Sequence, residues 1–301
     1  MIFINYYDEI KNKLIDNEIY NRVKDYSKER NKVITYFEVG KLLDEAGKHY
    51  GENIIKEYSL KLINEVGKKF NERTLRRIRQ YYRVFCNKKW SPMATKLSWS
   101  HYKELLIIKN NDEINYYINT TEKYNLSVRQ LREKIKNKEY QRLDDNTKLK
   151  LINKEEMSIG DTIKNPIIIK NKLGIDKENI SEKILQRLIL EDIPSFLDEL
   201  GEGYSFIRNE YKIKINNTYN YIDLLLFNIK YNCYVVVELK VTEVKKEHIG
   251  QVEVYMNYID KHVKGITNNK TIGIVVARRD NHYYIEYSSD KRIYTRDYEI
   301  V

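Results

Sequence analysis

Three strand-like runs, separated by very short turns, constrain the fold of this chain more than any other feature of its sequence. The runs are YSFIRNEYKIKI, YIDLLLFNI and CYVVVELK, and only NNTYN and KYN connect them. Strands joined by so few residues pair antiparallel, because a parallel pair needs a crossover of roughly a dozen residues or more. The second half of the chain is therefore predicted to contain a three-stranded antiparallel meander.

Helical and strand patterns extend this meander on both sides. ENISEKILQRLILEDIPSFLDELG precedes it as one amphipathic helix that ends at Gly201, and KKEHIGQVEVYMNYIDKHV follows it as a second helix. Then come an apolar strand, TIGIVVARR, and two shorter strands, HYYIEYSS and RIYTRDYEI. The order α-β-β-β-α-β predicts an α/β sandwich whose mixed sheet has buried central strands.

The first half of the chain shows apolar residues at helical spacing and few strand signals. We expect a first helical run broken at Gly47 and Gly51, a second helix that stops at Gly67, and further helices that begin at Ser91 and Ser127. The first half is therefore predicted to be entirely helical.

The change of pattern divides the chain into three parts. Residues 1–140 form the predicted helical domain, and residues 165–301 form the α/β domain. Residues 141–164 are polar and weakly periodic, which is typical of a linker. We therefore predict an α+β protein with two domains.

Charge is distributed unequally between the two halves. Residues 1–150 contain 32 Lys and Arg against 21 Asp and Glu, whereas residues 151–301 contain 22 against 23. The net charge of +10 therefore comes wholly from the first half. Such asymmetry favours contact with a polyanion, most often nucleic acid, although a lysine-rich soluble domain is an open alternative.

The positive charge is concentrated in residues 61–89, which contain ten Lys or Arg and two Glu. A helix, a turn containing Gly67 and a strongly basic second helix capped by Asn71 give this region helix-turn-helix character. We expect the second helix to contact DNA, the alternative being a solvated basic face. Its candidate DNA-binding residues are Arg73, Arg76, Arg77, Gln80 and Arg83.

Two carboxylates and a lysine interrupt the apolar strands of the meander. Asp223 lies in the second strand, and Glu238 and Lys240 lie two residues apart at the end of the third. A hairpin can bring the three together, and two adjacent carboxylates repel unless a cation lies between them. Oxygen ligands in small number suit Mg²⁺, held by Asp223, Glu238 and the carbonyl of Leu239. With Lys240 assisting the nucleophile, the site is predicted to hydrolyse a phosphodiester, unless these residues are only a charged ladder at the strand ends.

Other chemistries have little support in the sequence. There is no zinc-ligand cluster, P-loop or dinucleotide fingerprint, so no nucleotide cofactor is expected. Cys86 and Cys233 are predicted to be free buried thiols in a reducing compartment, which makes us expect a cytoplasmic protein. No stretch approaches ~18 consecutive apolar residues, so no contact with a membrane is expected. His248 is predicted to be a locally bonded helical neighbour rather than a general base, and Trp90 and Trp99 to be core residues.

Taken together, these stretches resemble the YhcG-type PD-(D/E)XK nucleases of bacteria and archaea. The resemblance rests on FLDELGEGYSF, YIDLLLFN, VVVELK, HIGQVEVYMNYID and IGIVVARR in the second half. In the first half it rests on FEVGKLLDE, FNERTLRRIRQYYRVF and LSWSHYKELL. It implies a restriction-endonuclease-like fold behind a helical DNA-binding domain, with Asp223, Glu238 and Lys240 as metal and catalytic positions. It also implies Gln251 as an accessory catalytic residue.

The chain departs from the family pattern at two places. Many such nucleases carry a Glu on the first helix of the core, where this chain has Gln186, and Glu182 one turn earlier is the alternative metal ligand. The strand before the site has Asn209 and Glu210 where the family usually has an Arg-Gln pair.

The resemblance and the residues together predict a Mg²⁺-dependent DNA endonuclease, with Mn²⁺ as a substitute metal, acting in restriction, defence or repair. We expect a homodimer with a possible restriction-modification or defence partner. Two alternatives stay open: a catalytically weak or inactive DNA-binding subunit of a larger complex, and a nuclease for structured DNA or RNA.

Overall fold

A computed structural model describes residues 5–22, 28–86, 96–279 and 290–301. The chain divides into two compact units, Met1–Tyr140 and Gln141–Val301. The first unit is helical where it is described, and the second is built around one mixed β-sheet. This division confirms the predicted fold class, an all-helical part followed by an α/β part.

Seven helices form the described part of the first unit. The prediction of a break at Gly47 is wrong, because the second helix runs through this buried residue and ends just before Gly51, whose φ is +83°.

The helix predicted to begin at Ser91 lies outside the described residues, and so does Trp90. Ser127 does cap a helix, since its side chain accepts a hydrogen bond from the backbone N–H of Gln130. The helices are α1 (Tyr6–Arg22), α2 (Lys28–Tyr50), α3 (Ile54–Glu65), α4 (Glu72–Phe85), α5 (Trp99–Leu105), α6 (Asn111–Tyr124) and α7 (Val128–Lys136).

Helix α4 is held tightly against α2. A Cβ on Gly40 of α2 would lie only 2.5 Å from the carbonyl oxygen of Ile78, so only glycine permits this approach. The Asn71 side chain caps α4 as predicted, accepting a hydrogen bond from the backbone N–H of Thr74 at 3.0 Å. The face of α4 that packs in the core includes Tyr81, which is fully buried, whereas the neighbouring Tyr82 is only half-buried. Arg73, Arg76, Arg77 and Arg83 are exposed, whereas Arg79 is buried and pairs with Glu52.

The stretch predicted as a linker, residues 141–164, belongs to the compact second unit. It contains helix α8 (Asp145–Asn153), and Lys150 of that helix pairs with Asp161 at 2.7 Å. The buried guanidinium of Arg142 forms an ion pair with the buried carboxylate of Glu199. Local periodicity did not indicate these contacts, because most of them join residues far apart in sequence.

The second unit contains a six-stranded sheet in the order β1-β6-β5-β4-β3-β2. Strands β2, β3 and β4 pair antiparallel and confirm the predicted meander, while β4, β5, β6 and β1 run parallel to one another. The helix predicted before the meander is broken into two at Asp192, and strand β1 was not predicted. The strand predicted from HYYIEYSS lies outside the described residues. The elements are β1 (Ile167–Ile169), α9 (Glu182–Glu191), α10 (Ile193–Leu200), β2 (Tyr204–Ile215), β3 (Thr218–Asn228), β4 (Cys233–Glu243), α11 (Lys246–His262), β5 (Ile272–Arg279) and β6 (Ile293–Ile300).

Helices cover both faces of this sheet. On one face, apolar side chains of α9 and α10 pack against alternate residues of β3, β4 and β5. On the other face, α11 packs against the intervening residues. A Cβ on Gly273 of β5 would lie 2.2 Å from Val252 of α11, so this glycine lets the helix lie close to the sheet. The central strands are therefore buried on both sides, as predicted.

Two further expectations concern membranes and cysteines. Within the described ranges, no helix has the length and apolar character needed to cross a membrane. Both cysteines are free thiols, but only Cys233 is buried; Cys86 is partly exposed.

Candidate active site

The candidate site lies where strands β3 and β4 separate. Their ladder runs from Asn228 opposite Cys233 to Leu224 opposite Val237 and then stops. Asp223 and Glu238 are the next opposed positions, at the point where the two strands part. Beyond this point β3 pairs only with β2 and β4 only with β5 among the described residues. At the fork, the backbone N–H and C=O groups of β4 that point toward β3 therefore have no strand partner among the described residues.

Asp223, Glu238 and Lys240 meet at this fork, as predicted. One carboxylate oxygen of Asp223, Oδ2, accepts a hydrogen bond from the backbone N–H of Leu239 at 2.8 Å. Lys240 donates to Oε1 of Glu238 at 2.9 Å, and both residues are buried. Leu239 directs its carbonyl to the same edge as its N–H, because both groups of a strand residue point to one side. The carbonyl predicted as a metal ligand is therefore on the edge that faces Asp223.

Burial at the fork disfavours the charged forms of both carboxyls. It raises the pKa of Asp223 above its usual range. Burial, reinforced by the charge of Asp223, raises the pKa of Glu238 to about 7. Burial also lowers the pKa of Lys240, but the neighbouring carboxylates, Glu238 first, outweigh that effect and the net direction is upward. Two crowded carboxyls of raised pKa beside an ammonium group are typical of a site that holds a cation.

One atom of the site lacks a partner. The second carboxylate oxygen of Glu238, Oε2, is buried and has no hydrogen-bond partner among the described residues. An unsatisfied buried carboxylate oxygen is costly unless another ligand reaches it. Mg²⁺ is commonly held by one or two carboxylates together with water, so the two carboxylates and a main-chain carbonyl suit this ion. The residues present therefore fit a divalent metal.

The predicted fourth ligand does not join the carboxylate pair. Glu182, at the start of α9, lies 3.6 Å from the ammonium group of Lys240, and its side chain is half-exposed. No group of three or more His, Cys, Asp or Glu side chains close enough to hold a metal occurs in the ranges that the structure describes. Gln186, one turn later, donates a hydrogen bond to the backbone carbonyl of Asp223 at 3.1 Å. The family position occupied by Gln186 therefore supports the strand that carries Asp223, and the role of Glu182 as a ligand stays a prediction.

Helix α11 brings a second set of polar groups close to the fork. Gln251 donates a hydrogen bond to the hydroxyl of Tyr255 at 2.8 Å, one turn further along the helix. Sequence reasoning missed Tyr255, although its spacing of four residues from Gln251 was the available signal. His248 accepts a hydrogen bond from the backbone N–H of Lys245, which agrees with a local capping role. Burial and the charge of Lys240 lower the pKa of His248.

The backbone is irregular on both sides of Asp223. Ile222 and Leu225 pack in the same cluster on the α11 face, although they are three residues apart, while Leu224 packs on the opposite face. Strict alternation of side chains is therefore broken at Asp223. On β2, the position opposite Asp223 is Glu210, which adopts a left-handed φ of +46° and whose charge contributes to the raised pKa of Asp223. Such strained positions cluster at functional sites.

In the first unit, the predicted DNA-binding residues of α4 differ in their contacts. Arg76 pairs with Glu72 at 2.7 Å, and Arg83 pairs with Asp44. Gln80 donates a hydrogen bond to the backbone carbonyl of Leu106 at 3.1 Å. Each of these three side chains therefore already makes a hydrogen bond or ion pair within the protein.

Arg73 and Arg77 are different. Both are exposed, and neither side chain makes a hydrogen bond or ion pair with a residue that the structure describes. Together with Asn71, Glu72, Arg76 and Gln80, they line an open groove on the surface of α4. Their positive charge is thus the least compensated within the predicted DNA-binding set.

Comparison with known proteins agrees with the resemblance seen in the sequence. Residues 160–300 match the model of the YhcG PDDEXK nuclease domain, and residues 14–142 match that of the DUF1016 N-terminal domain. The protein named "Putative nuclease YhcG" of Escherichia coli (strain K12) is 26% identical over 284 residues, which cover 81% of this chain and 76% of that protein.

Two solved structures show a more distant likeness to part of the chain. A repair endonuclease from Pyrococcus abyssi has a TM-score of 0.29 and 19% identity, over 41% of this chain and 49% of that one. The EndoMS–dsDNA2 complex has a TM-score of 0.30 and 19% identity, over 41% of this chain and 48% of that one. The chain thus spans about half the length of these structures, and scores this low carry no argument. The two family models, by contrast, together match nearly the whole chain: residues 160–300 belong to the YhcG PDDEXK nuclease domain family and residues 14–142 to the DUF1016 N-terminal domain family.

Proposed function

We propose that this chain is a metal-dependent DNA endonuclease whose catalytic site is the fork between β3 and β4. The observation that carries the proposal is the Asp223–Glu238–Lys240 cluster, in which Glu238 and Lys240 are buried and one carboxylate oxygen of Glu238 has no hydrogen-bond partner among the described residues. Membership of a nuclease family supports phosphodiester hydrolysis as the reaction. The acting metal is Mg²⁺, with Mn²⁺ as a substitute.

Each residue of the cluster has a distinct task in this proposal. Asp223, Glu238 and the carbonyl of Leu239 would hold the metal, which would supply positive charge against the phosphate and lower the pKa of water. Lys240 orients the attacking water, and its 2.9 Å hydrogen bond to Glu238 favours the charged form of that carboxyl. The Leu239 N–H fixes the orientation of the Asp223 carboxylate. Gln251 contributes a neutral hydrogen-bonding group from α11 and shapes the site without adding charge.

We place DNA binding by the first unit on the exposed face of α4. The uncompensated charges of Arg73 and Arg77 support this assignment, and Arg76 and Arg83 contribute less because acidic side chains already neutralise them. Phosphate contacts by arginine position a protein on DNA and make its affinity dependent on salt. A role in restriction, defence or repair, and a homodimer that cuts both strands, belong to the same proposal.

One observation favours a second candidate. The described residues offer two clustered carboxylates, not three, and the position that the family pattern gives to a glutamate is occupied by Gln186. A weaker metal site is compatible with a DNA-binding subunit that cuts slowly or only within a larger complex. This candidate predicts DNA binding of ordinary strength with little or no cleavage.

A panel of substrates separates these possibilities. The full chain is incubated with linear, supercoiled and branched DNA and with single-stranded RNA, each in Mg²⁺ and in excess chelator. We expect cleavage of at least one DNA substrate in Mg²⁺ and none in chelator. Binding without cleavage supports the second candidate, and cleavage confined to RNA contradicts the assignment of DNA as the substrate.

A further inference from the structure

Beyond the fork, strands β2 and β3 continue as a two-stranded arm, residues 211–222. These strands pair with each other as far as Ile215 and Thr218, where a two-residue turn begins at Asn216, whose φ is +53°. Within the described residues, no third strand pairs with the arm. The arm is nevertheless anchored, because its inner face packs in the cluster that contains the apolar side chains of α11: Tyr211, Ile213, Ile215 and Ile222. The arm therefore has one face on the core and one face in solvent.

The outer face of the arm carries lysines and tyrosines in cross-strand pairs. Lys212 lies opposite Tyr221, and Lys214 lies opposite Tyr219. The two tyrosines are 51% and 54% exposed, and the ammonium group of Lys212 lies 3.7 Å from the centroid of the Tyr219 ring. A cation–π contact of this kind stabilises the arm only modestly at an exposed site.

Support of the arm alone does not account for the charge on this face. Lys212 and Lys214 are neighbours on one face, so their charges repel, and neither forms an ion pair with a residue that the structure describes. The residues of the second half are close to neutral overall, with 22 basic against 23 acidic side chains in residues 151–301. Uncompensated positive charge on this face is complementary to a polyanion.

The arm also leads directly into the candidate site. Tyr219, Tyr221 and Asp223 are successive odd-numbered positions of β3. At about 3.3 Å per residue, Tyr221 lies roughly 7 Å and Tyr219 roughly 13 Å along the strand from Asp223. Nucleotides of one DNA strand advance by about 3.4 Å each along the helix axis, so the arm reaches roughly two to four nucleotides beyond the phosphate at the site.

We infer that the outer face of this arm binds the backbone of the DNA strand that flanks the cut. Lys212 and Lys214 contact phosphates, and the hydroxyls of Tyr219 and Tyr221 donate hydrogen bonds to phosphate oxygens, which are common partners of tyrosine in protein–DNA complexes. This inference rests on the proposed function, because it names a binding surface for the substrate of the same site.

The test compares a double substitution in the arm with a matched one elsewhere in the second unit. Lys212→Ala/Lys214→Ala removes two charges from the arm. Lys261→Ala/Lys264→Ala removes two charges at the opposite end of α11, away from the fork, and neither lysine forms an ion pair with a residue that the structure describes. Affinity of the full chain for a short fluorescent DNA duplex is measured at several salt concentrations in Ca²⁺, and cleavage is measured separately in Mg²⁺.

We expect the arm variant to lower the slope of log affinity against log salt by about 1.8, since each lost phosphate contact removes about 0.9. At 0.1 M salt this corresponds to an affinity roughly 60-fold weaker than that of the wild type. The control variant should keep both slope and affinity, and cleavage by the arm variant at subsaturating DNA should fall in step with its affinity. Tyr219→Phe, which keeps the ring and loses the hydroxyl, should weaken binding by a smaller factor.

An arm variant whose slope and affinity equal those of the control overturns the inference. Lys212→Gln/Lys214→Gln retains most of each side chain and gives the same comparison if the alanine variant does not fold. The binding assay does not require cutting. A wild-type protein that binds DNA and never cuts it contradicts the proposed function, but the comparison of the arm variant with the control still tests whether the arm binds DNA. A wild-type protein that binds no DNA overturns both.

Discussion

Glu238→Gln tests the electrostatics of the fork without changing its shape. In the metal-free protein, burial and the charge of Asp223 raise the pKa of Glu238 from 4.5 to about 7. The folded protein therefore binds more protons than the unfolded chain between these two values, and the stability that protonation confers is lost as pH rises through the folded pKa. Glutamine is neutral at every pH and can still accept the hydrogen bond from Lys240.

The size of the effect follows from the two pKa values of Glu238. A shift from 4.5 to about 7 corresponds to about 3 kcal/mol of stability, most of which is lost between roughly pH 5 and pH 8.5. Because glutamine does not titrate, the Glu238→Gln variant does not lose this stability as pH rises. The free energy of unfolding of Glu238→Gln should thus rise relative to the wild type by a few kcal/mol at most, on the order of 2–3 kcal/mol, across this range, with most of the change below about pH 8.

Hydrogen exchange of the β4 amides, residues 235–239, reports the opening free energy of the sheet that carries the site. The measurement is made in chelator from about pH 5 to pH 8.5, after correction for intrinsic exchange rates. Glu247→Gln, which removes an exposed carboxylate from α11, is the matched control. Mg²⁺ should then stabilise the wild type more than the variant. A difference between Glu238→Gln and the wild type that does not change with pH would refute the assignment of Glu238 as a buried, protonatable ligand.

Three further outcomes are expected. Asp223→Asn should lower the cleavage rate in Mg²⁺ by about 10²–10⁴, whereas Gln251→Ala should cost less because it removes a neutral group; equal losses would contradict this ranking. Arg73→Ala/Arg77→Ala should lower the slope of log DNA affinity against log salt by up to about 1.8, and Arg76→Ala/Arg83→Ala should lower it by clearly less. Equal slopes for the two variants would contradict the inference that ion pairs within the protein weaken the contribution of Arg76 and Arg83 to DNA binding. Cleavage should be supported by Mg²⁺ and Mn²⁺ and blocked by Ca²⁺ or chelator, and full activity in excess chelator would exclude a metal.

The central strands and the helix caps could be predicted because their signals are local. The bounds predicted for β2, residues 204–215, are those of the structure, since alternation and tight turns define them. Asn71 and Ser127 were recognisable as caps because each side chain reaches a backbone N–H three residues later. The break at Asp192 also had a local signal, since this residue caps α10 and Pro194 follows two residues later.

Other elements depend on contacts that no local pattern contains. Strand β1 has only three residues and pairs with β6, more than a hundred residues away in sequence. Arg76 and Arg83 looked equivalent to Arg77 on one helix, yet Glu72 and Asp44 compensate two of the three. Asp44 lies on α2, so its ion pair with Arg83 exists only because α2 and α4 pack together.

The candidate site was predictable in its residues but not in its detail. The spacing of Asp223, Glu238 and Lys240 placed them near one another, because a hairpin folds the second strand onto the third. The fork itself, the unpartnered oxygen of Glu238 and the left-handed backbone at Glu210 appear only in the folded chain. These are the features that distinguish a built site from a charged ladder at the ends of two strands.

The most direct test of the central claim is the rate at which the wild type and Lys240→Ala cut supercoiled DNA across a titration of Mg²⁺, with DNA affinity measured on the same samples. If the fork between β3 and β4 is the catalytic site, cutting by the wild type rises with Mg²⁺, and Lys240→Ala binds DNA with nearly unchanged affinity but cuts at least about a hundredfold more slowly. Equal cutting rates for the two proteins at every Mg²⁺ concentration would contradict the account.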